Sequence, residues 1–152
     1  MAGRFYDEWQ VGDRIAHDIR RTVTETDNLL FSTMTHNPQP LHLDAHFAAG
    51  TEWGQRLFNS LYTLGIMIGM SVYDTTLGTT VANLGMTDVA FPRPVFHGDT
   101  LRARTRVVSL RPSRSKPHAG IVEFEHTASN QHGDIVASCR RTALMRRKSE
   151  AA

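Results

Sequence analysis

Cysteine is nearly missing from this sequence, since Cys139 is alone among 152 residues. One thiol cannot close a disulfide within the chain, so the composition fits a reducing compartment, and a cytoplasmic location is expected. Long apolar runs are missing too. The N-terminal residues contain no apolar segment typical of a secretory signal. The longest apolar stretch, from Ser60 to Tyr73, is shorter than the roughly 20 residues that cross a bilayer, so it predicts a buried helix and no membrane association.

Lysine is also scarce, because two lysines stand beside fifteen arginines, and the net charge is only +2. The arginines are spread over strand-like segments without the interleaved aromatic residues that stack on bases, so no nucleic acid partner is expected. Guanidinium groups suit fork-shaped recognition of phosphates and carboxylates. A genome rich in G and C would produce the same bias without functional meaning.

Length and composition predict one compact domain. Of the 152 residues, 40% are hydrophobic and 21% are charged, and neither a repeat nor a low-complexity run divides the chain. We expect a single domain over residues 1–147 and a disordered tail over residues 148–152.

The first half of the chain predicts helices after one short alternating segment. Thr24, followed by an aspartate three residues later, is a typical N-cap for a helix that runs to about Thr35. Pro38 and Pro40 then disfavour regular helix, so residues 36–41 are expected to form an extended loop.

Two further helices are predicted before the middle of the chain. Asp44 is a plausible N-cap for a short helix that Gly50 ends. Asn59 or Ser60 can cap the long apolar helix, which should end near Asp74.

The second half alternates apolar and polar residues in four segments bounded by turn residues, which is typical of antiparallel strands. These segments cover residues 79–91, 100–110, 119–129 and 134–147. A helix that is apolar on nearly all sides must be covered on nearly all sides, and a curved sheet wrapped around it does so. Gly65 and Gly69, one turn apart, are expected to let the sheet approach closely. The prediction is an α+β hot dog fold.

Two segments carry a resemblance to a known family. "NPQPLHLD", which begins at Asn37, precedes "FPRPVFHGDTL", from Phe91 to Leu101. They resemble the motifs D-x-N-P-x-H-x-D and F-x-x-P-V-x-x-G-D of the MaoC-like dehydratases, the R-specific enoyl-CoA hydratases of the hot dog superfamily. The resemblance extends over roughly residues 5–147. The first segment also looks like the branch linked to branched C5 dicarboxylic acyl-CoA substrates, such as mesaconyl- or itaconyl-CoA.

The resemblance implies that His42 is the histidine that activates a water for addition to a 2-enoyl-CoA. The catalytic aspartate of the family falls on Asn37, and its asparagine falls on Gln39. An amide cannot take up a proton near neutral pH, so two readings follow. If activity is retained, His42 is the main general base and Asn37 only holds the water. If activity is lost, the site is an acyl-CoA-binding pocket.

A hydratase must also stabilise the enolate oxygen of the thioester. Backbone N–H groups at a helix N-terminus can do this. In the family this donor lies in a His-Gly-Met turn, and the aligned residues here are Asn59, Ser60 and Leu61. The resemblance therefore assigns the donor to the Ser60 N–H, with Asn59 beside it, although both residues could serve only as helix caps.

A metal site is not expected in this segment. His36, His42, Asp44 and His46 are possible ligands, with two histidines one turn apart. The prolines discourage a helix through residue 42, so these side chains should not converge. Asp44 is a helix cap or a carboxylate that orients the His42 ring.

Four cations are candidates for binding the substrate. Arg93 lies where it could reach a substrate carboxylate or a CoA phosphate. Arg111, Arg114 and Lys116 form either a solvated basic turn or a site for the 3′-phospho-ADP end of CoA.

The leading functional prediction is an enoyl-CoA hydratase or dehydratase acting on a small, branched or carboxylated substrate. A hot dog acyl-CoA thioesterase usually has an acidic residue on or just before the central helix, and Ser60 to Tyr73 contains none. A non-catalytic acyl-CoA-binding protein is the third possibility. No cofactor is expected because CoA is part of the substrate. Hot dog units usually pair with their sites at the interface, so at least a homodimer is predicted.

Overall fold

The computed structural model describes residues 3–148, so residues 149–152 of the predicted tail lie outside the described residues. Lys148, the first residue of that predicted tail, lies inside them, and its ammonium is 2.7 Å from the Glu8 carboxylate. After a short 3-10 turn, the elements are β1 (Arg14–Thr22), α1 (Glu25–Met34), α2 (Pro40–Leu43), α3 (Ala45–Ala49), α4 (Ser60–Thr75), β2 (Thr80–Ala90), β3 (Thr100–Pro112), β4 (Ala119–Ser129) and β5 (Ile135–Arg146).

The strands form one antiparallel sheet in the order β1, β3, β4, β5, β2. The predicted helix starts are confirmed at three places. Thr24 and Asp27 form a reciprocal capping box at α1, Asp44 caps α3 and Asn59 caps α4. These caps are short-range features, because each side chain bonds a backbone N–H two or three residues away.

The α4 helix lies against the inner face of the sheet. Its buried residues are Thr63, Ile66, Met67, Met70, Ser71 and Thr75. The facing strands contribute small side chains, among them Ala103, Ala128 and Ala137, all of which are buried. These alanines let the helix approach the sheet. Among the described residues, no helix is both long and apolar enough to cross a membrane.

The predicted role of the two helix glycines is wrong. Gly65 and Gly69 are exposed, and a Cβ at either position would meet nothing within 4 Å. Their four-residue spacing places them with Leu61 and Tyr73, whose exposures are 58% and 57%, on the side of α4 away from the sheet. We call these four residues the α4 stripe. A single chain therefore leaves one side of its apolar helix uncovered.

A row of three polar side chains lies in the interior between two apolar clusters, and its members are His17, Thr105 and His126. The buried His17 ring places Nε2 2.7 Å from the Thr105 hydroxyl, which lies 2.8 Å from Nδ1 of His126. His126 is fully buried. Burial, and then the nearby Arg141 charge, lower the pKa of His126 to about 3. The His126 imidazole is therefore neutral in the folded protein near neutral pH.

Candidate active site

The loop that carries Asn37 starts from an irregular helix end. His36 has φ 54°, in the left-handed region where glycine is usual and histidine is tolerated. The N–H of His36 donates to the Thr33 carbonyl at 3.1 Å, and the N–H of Asn37 donates to the Ser32 carbonyl at 2.9 Å. This pair of bonds is a Schellman motif that closes α1. His36 is exposed, and its backbone conformation sets the direction in which Asn37 leaves the helix.

Asn37, Gln39 and His42 belong to one tight turn. The N–H of Gln39 donates to Oδ1 of Asn37 at 3.1 Å, and the N–H of His42 donates to the Gln39 carbonyl at 3.0 Å. The predicted extended loop is wrong at residues 40 and 41, because Pro40 is the first residue of α2. A proline is tolerated there, since the first helical N–H has no partner within the helix.

The His42 ring is oriented by the backbone. Its Nδ1 lies 2.8 Å from the carbonyl oxygen of Leu57, and a carbonyl can only accept, so Nδ1 carries the hydrogen. In the neutral ring Nε2 then has a free lone pair. Asp44 does not orient this ring. Its carboxylate accepts from the Phe47 N–H at 2.9 Å as the cap of α3.

Asn28 holds several parts of the site together, and the sequence interpretation missed it. Its fully buried Nδ2 lies 3.2 Å from the His42 carbonyl, 2.9 Å from the Leu57 carbonyl and 2.9 Å from Nε2 of His97. Its Oδ1 accepts from the Asn59 N–H at 2.9 Å. Asn28 is a positioning residue, because it fixes the carbonyl that orients His42 and the residue that caps α4.

His97 is the second residue that the sequence interpretation passed over, although it lies within the "FPRPVFHGDTL" segment. Burial, and then the Arg56 charge, lower the pKa of its imidazole, while Glu25 acts in the opposite direction. Nε2 of His97 accepts from the Asn28 amide, and Arg56 forms an ion pair with Glu25. A neutral His97 therefore completes the surroundings of Asn28.

The N-terminus of α4 leaves one donor free. Oδ1 of Asn59 accepts from the Leu61 N–H at 3.1 Å, and the Asn59 carbonyl accepts from the N–H groups of Tyr62 and Thr63. Within residues 3–148 the Ser60 N–H has no partner. It has the positive end of the helix dipole behind it and can donate to an anionic oxygen.

A small cavity opens beside this helix end. Its volume is about 230 Å³, and its lining residues are Trp53, Leu57, Ser60, Thr63, Phe91, Pro92, Arg93, Pro94, Val95 and Val136. Arg93 is the charged residue in this lining. Leu57, whose carbonyl orients the His42 ring, is part of the wall. Ser60 and Arg93 thus line one cavity, and His42 is held by a bond to the wall residue Leu57. Asn37 and Gln39 belong to the turn that precedes His42.

Three of the predicted cations are not brought to this cavity. Arg111, Arg114 and Lys116 are exposed at the hairpin between β3 and β4. Leu101, at the start of β3, packs in the same apolar cluster as the cavity residue Val95. Arg111 lies ten residues further along the strand, roughly 33 Å away at the usual rise per residue. Within one chain these three cations are too remote to line the cavity.

The suggested metal ligands do not form a cluster. Among residues 3–148 no group of three or more histidine, cysteine, aspartate or glutamate side chains could hold a metal ion. Asp44 caps α3, the His42 Nδ1 bonds a carbonyl, and His46 is exposed on α3.

Comparisons with known proteins agree with the motifs. A family model described as MaoC like domain matches residues 8–130. The chain is similar to a mesaconyl-CoA hydratase from Cereibacter sphaeroides, with 32% identity over 151 residues, which are 99% of this chain and 43% of that protein. The chain therefore spans less than half the length of this curated relative.

Solved structures share the fold. A protein from Archaeoglobus fulgius described as a monoamine oxidase regulatory protein has a TM-score of 0.86 and 32% identity, and the match covers 97% of each chain. A conserved hypothetical protein from Mycobacterium tuberculosis, described as having a double hotdog fold, has a TM-score of 0.85 and 24% identity, and the match covers 99% of this chain and 46% of that one. The predicted hot dog fold is confirmed.

Proposed function

Because the chain belongs to the MaoC-like dehydratase family, we propose that it is an enoyl-CoA hydratase or dehydratase that adds water reversibly to a small, branched or carboxylated 2-enoyl-CoA. The main support is the His42 ring, whose Nδ1 bonds the Leu57 carbonyl and leaves Nε2 as a base. The same Leu57 lines a cavity that contains the free Ser60 N–H. A base bonded to a residue of the cavity wall and an oxyanion donor in that wall supply the two groups that hydration requires.

In the proposed mechanism His42 both takes and returns a proton. Nε2 of His42 removes a proton from water while the water oxygen forms a bond to C3 of the enoyl thioester. The C2–C3 π electrons move onto the thioester carbonyl, and the Ser60 N–H stabilises the enolate oxygen. The protonated imidazole then delivers its proton to C2, which completes the addition of one water molecule. Oδ1 of Asn37 has a second lone pair that can accept from the attacking water.

The cavity favours a small acyl group with a negative charge. About 230 Å³ suits a short chain, and apolar side chains such as Trp53, Phe91 and Val136 form most of the wall. Arg93 is its charged member, and a guanidinium can bind a carboxylate through two parallel hydrogen bonds. A mesaconyl-type thioester combines these properties. The Cereibacter sphaeroides relative is named for this substrate.

We also propose that the working unit is at least a homodimer in the cytoplasm. The α4 stripe is uncovered, and β2 is a sheet edge with Val81, Leu84 and Val89 exposed at 37%, 51% and 42%. An exposed edge strand beside an uncovered apolar helix is a natural surface for a second copy. The single buried Cys139 fits a reducing compartment. No cofactor beyond the CoA of the substrate enters the mechanism.

The competing functions differ in their products. The test incubates the purified chain with mesaconyl-CoA, crotonyl-CoA and butyryl-CoA, and measures enoyl absorbance, hydroxyacyl-CoA and free CoA. Hydration of mesaconyl-CoA without free CoA is the expected result. Free CoA from butyryl-CoA, which has no double bond, would identify a thioesterase. Binding of all three thioesters without any product would identify a non-catalytic acyl-CoA-binding protein.

A further inference from the structure

On the outer face of the sheet, arginines of β1 lie directly opposite arginines of β3. Arg20 of β1 is directly opposite Arg102 of β3, and Arg14 is directly opposite Arg106. Arg102 and Arg104 are both exposed, and alternation along β3 places them on the same face with Arg106. Like charges directly opposite each other destabilise a sheet. The Arg20–Arg102 pair is therefore unfavourable for the folded chain alone and becomes favourable when an anion lies between the two guanidinium groups.

A depression on this face combines two of these arginines with hydroxyl groups. Its volume is about 340 Å³, and its lining residues are Arg102, Arg104, Thr127, Ser129, Asn130, Gln131, His132, Gly133 and Ile135. Ser129 lies opposite Arg102, and Thr127 lies opposite Arg104. Among residues 3–148 neither these guanidinium groups nor these hydroxyls have a hydrogen-bond or ion-pair partner. Two guanidinium groups beside two hydroxyls match the oxygens of a phosphate.

The acidic groups near this depression are bonded to residues other than Arg102 and Arg104. Glu125 forms a two-point ion pair with Arg106, at 3.2 and 3.1 Å. Asp134 accepts from the Asn130 amide within the turn, and Asp99 accepts from Nε2 of Gln131 at 2.7 Å. Within residues 3–148, neither the Arg102 nor the Arg104 guanidinium is paired with one of these carboxylates. Its lining contains no phenylalanine, tyrosine or tryptophan, which disfavours a platform for stacked bases.

The depression and the active-site cavity lie on opposite faces of the sheet at the start of β5. Ile135 lines the depression, and the next residue, Val136, lines the cavity that contains Ser60. Consecutive strand residues point to opposite faces, so only the end of this strand separates the two spaces.

We propose that Arg102 and Arg104, with Thr127 and Ser129, form a phosphate-binding site on the outer face of the sheet. Its ligand is a nucleotide phosphate, which comes either from the 3′-phospho-ADP end of the thioester substrate or from a free nucleotide. The first source rests on the proposed function, whereas the site itself does not. The assignment replaces Arg111, Arg114 and Lys116 as the phosphate-binding cations of one chain.

The first test measures binding without turnover. Isothermal titration calorimetry with 3′-phospho-ADP compares the wild type, the double variant Arg102→Gln/Arg104→Gln and the control Arg111→Gln/Arg114→Gln. The control removes the same charge from the far end of β3. We expect at least about tenfold weaker binding in the first variant and unchanged binding in the control, since each lost charge-assisted bond accounts for about tenfold. The first variant should melt at no lower a temperature than the wild type, because the substitutions remove repulsion between arginines. A loss of binding can then not be attributed to unfolding.

The second test distinguishes the two sources of phosphate. Steady-state kinetics compare mesaconyl-CoA with mesaconyl-pantetheine, which lacks phosphate. If CoA is the ligand, Arg102→Gln/Arg104→Gln raises KM for mesaconyl-CoA and changes neither kcat nor the pantetheine reaction. Unchanged kinetics together with lost nucleotide binding would identify a free nucleotide.

Equal affinity of all three proteins for 3′-phospho-ADP would overturn the site, as would much tighter binding of a single-stranded oligonucleotide than of the mononucleotide. If no hydration is detected, the proposed function fails, and the calorimetry still decides the phosphate site.

Discussion

Nδ1 of His42 donates to the carbonyl oxygen of Leu57 over 2.8 Å. The tautomer and orientation of the proposed base are therefore set by a backbone carbonyl and not by an acidic side chain. Asn37 supplies no second proton acceptor, so one imidazole must carry out both proton transfers of the proposed reaction.

Replacing His42 should abolish most of the activity. His42→Gln is expected to lower kcat for mesaconyl-CoA hydration by roughly 100-fold or more, because the amide cannot accept the proton of the water. The matched control is His46→Gln, since His46 is exposed on α3, whereas His42 is bonded to the cavity-wall residue Leu57. Steady-state rates of both variants measure the effect. Wild-type kcat in His42→Gln would refute the assigned base.

Asn37→Asp tests the position that departs from the family motif. An aspartate can still accept from the Gln39 N–H, so the turn should persist. We expect full stability and an additional acidic ionisation in the profile of kcat/KM against pH. Asn37→Ala should lose about 1 kcal/mol of unfolding free energy with the turn bond, and should also lower kcat. If both variants had the wild-type pH profile and kcat, Asn37 would not contact the water.

Asn28→Ala should weaken both the fold and the site. The change leaves the Leu57 and His42 carbonyls and the Asn59 N–H without their buried partner. We expect a loss of about 3 kcal/mol in urea unfolding and a lower kcat even at temperatures where the variant is folded. Ser32→Ala is the control, because it removes one 3.3 Å bond to the Asn59 side chain and should cost less. Equal losses in the two variants would contradict a positioning role for Asn28.

His126 should make the protein less stable in mild acid. Its pKa is about 3 in the folded protein and near 6.5 in the unfolded chain, so below pH 6.5 only the unfolded chain takes up the proton. The free energy of unfolding should therefore fall by about 1.4 kcal/mol for each pH unit from 6.5 towards 3.

Urea unfolding at pH 7 and pH 5 measures this effect in the wild type, His126→Gln and the exposed control His132→Gln. His126→Gln should lose less stability between the two pH values than the wild type does. An identical pH dependence in all three proteins would exclude His126 as the cause.

A charge on the α4 stripe should prevent self-association. Tyr73→Lys places an ammonium in the proposed contact between copies, and a cation near a helix C-terminus does not disturb the helix itself. Leu30→Lys is the matched control, because Leu30 is 58% exposed on α1 and Tyr73 is 57% exposed. Light scattering should give a multiple of 17.0 kDa for the wild type and the control, and one chain mass for Tyr73→Lys. A Tyr73→Lys protein with the wild-type mass would reject this surface.

Local signals were enough to predict most of the fold. The caps at Thr24, Asp44 and Asn59 were predictable because each side chain bonds a backbone group two or three residues away. Alternation along the chain predicted β3, β4 and β5 because their inner faces are buried. The end of the loop at Pro40 was missed because a proline both interrupts a helix and favours its first position.

Features that depend on distant segments could not be predicted. Gly65 and Gly69 gave no indication of which side of α4 meets the sheet, since the small residues that decide this are alanines on three strands. Asn28 resembled an ordinary helix residue, because its partners His42, Leu57 and Asn59 come from other parts of the chain. The position of the Ser129 and Thr127 hydroxyls opposite Arg102 and Arg104 also could not be predicted, because it depends on the register between β3 and β4.

Both backbone groups of Leu57 are bonded to the segment that carries the proposed base. Its N–H donates to the Leu41 carbonyl at 2.9 Å, while its carbonyl accepts from His42 and Asn28. The hydrogen of this amide can exchange with solvent only when the segment before His42 separates from Leu57. Leu41 and His42 are adjacent in the chain and both bond Leu57, so the exchange rate of this one backbone hydrogen measures the local stability of the segment that holds the base.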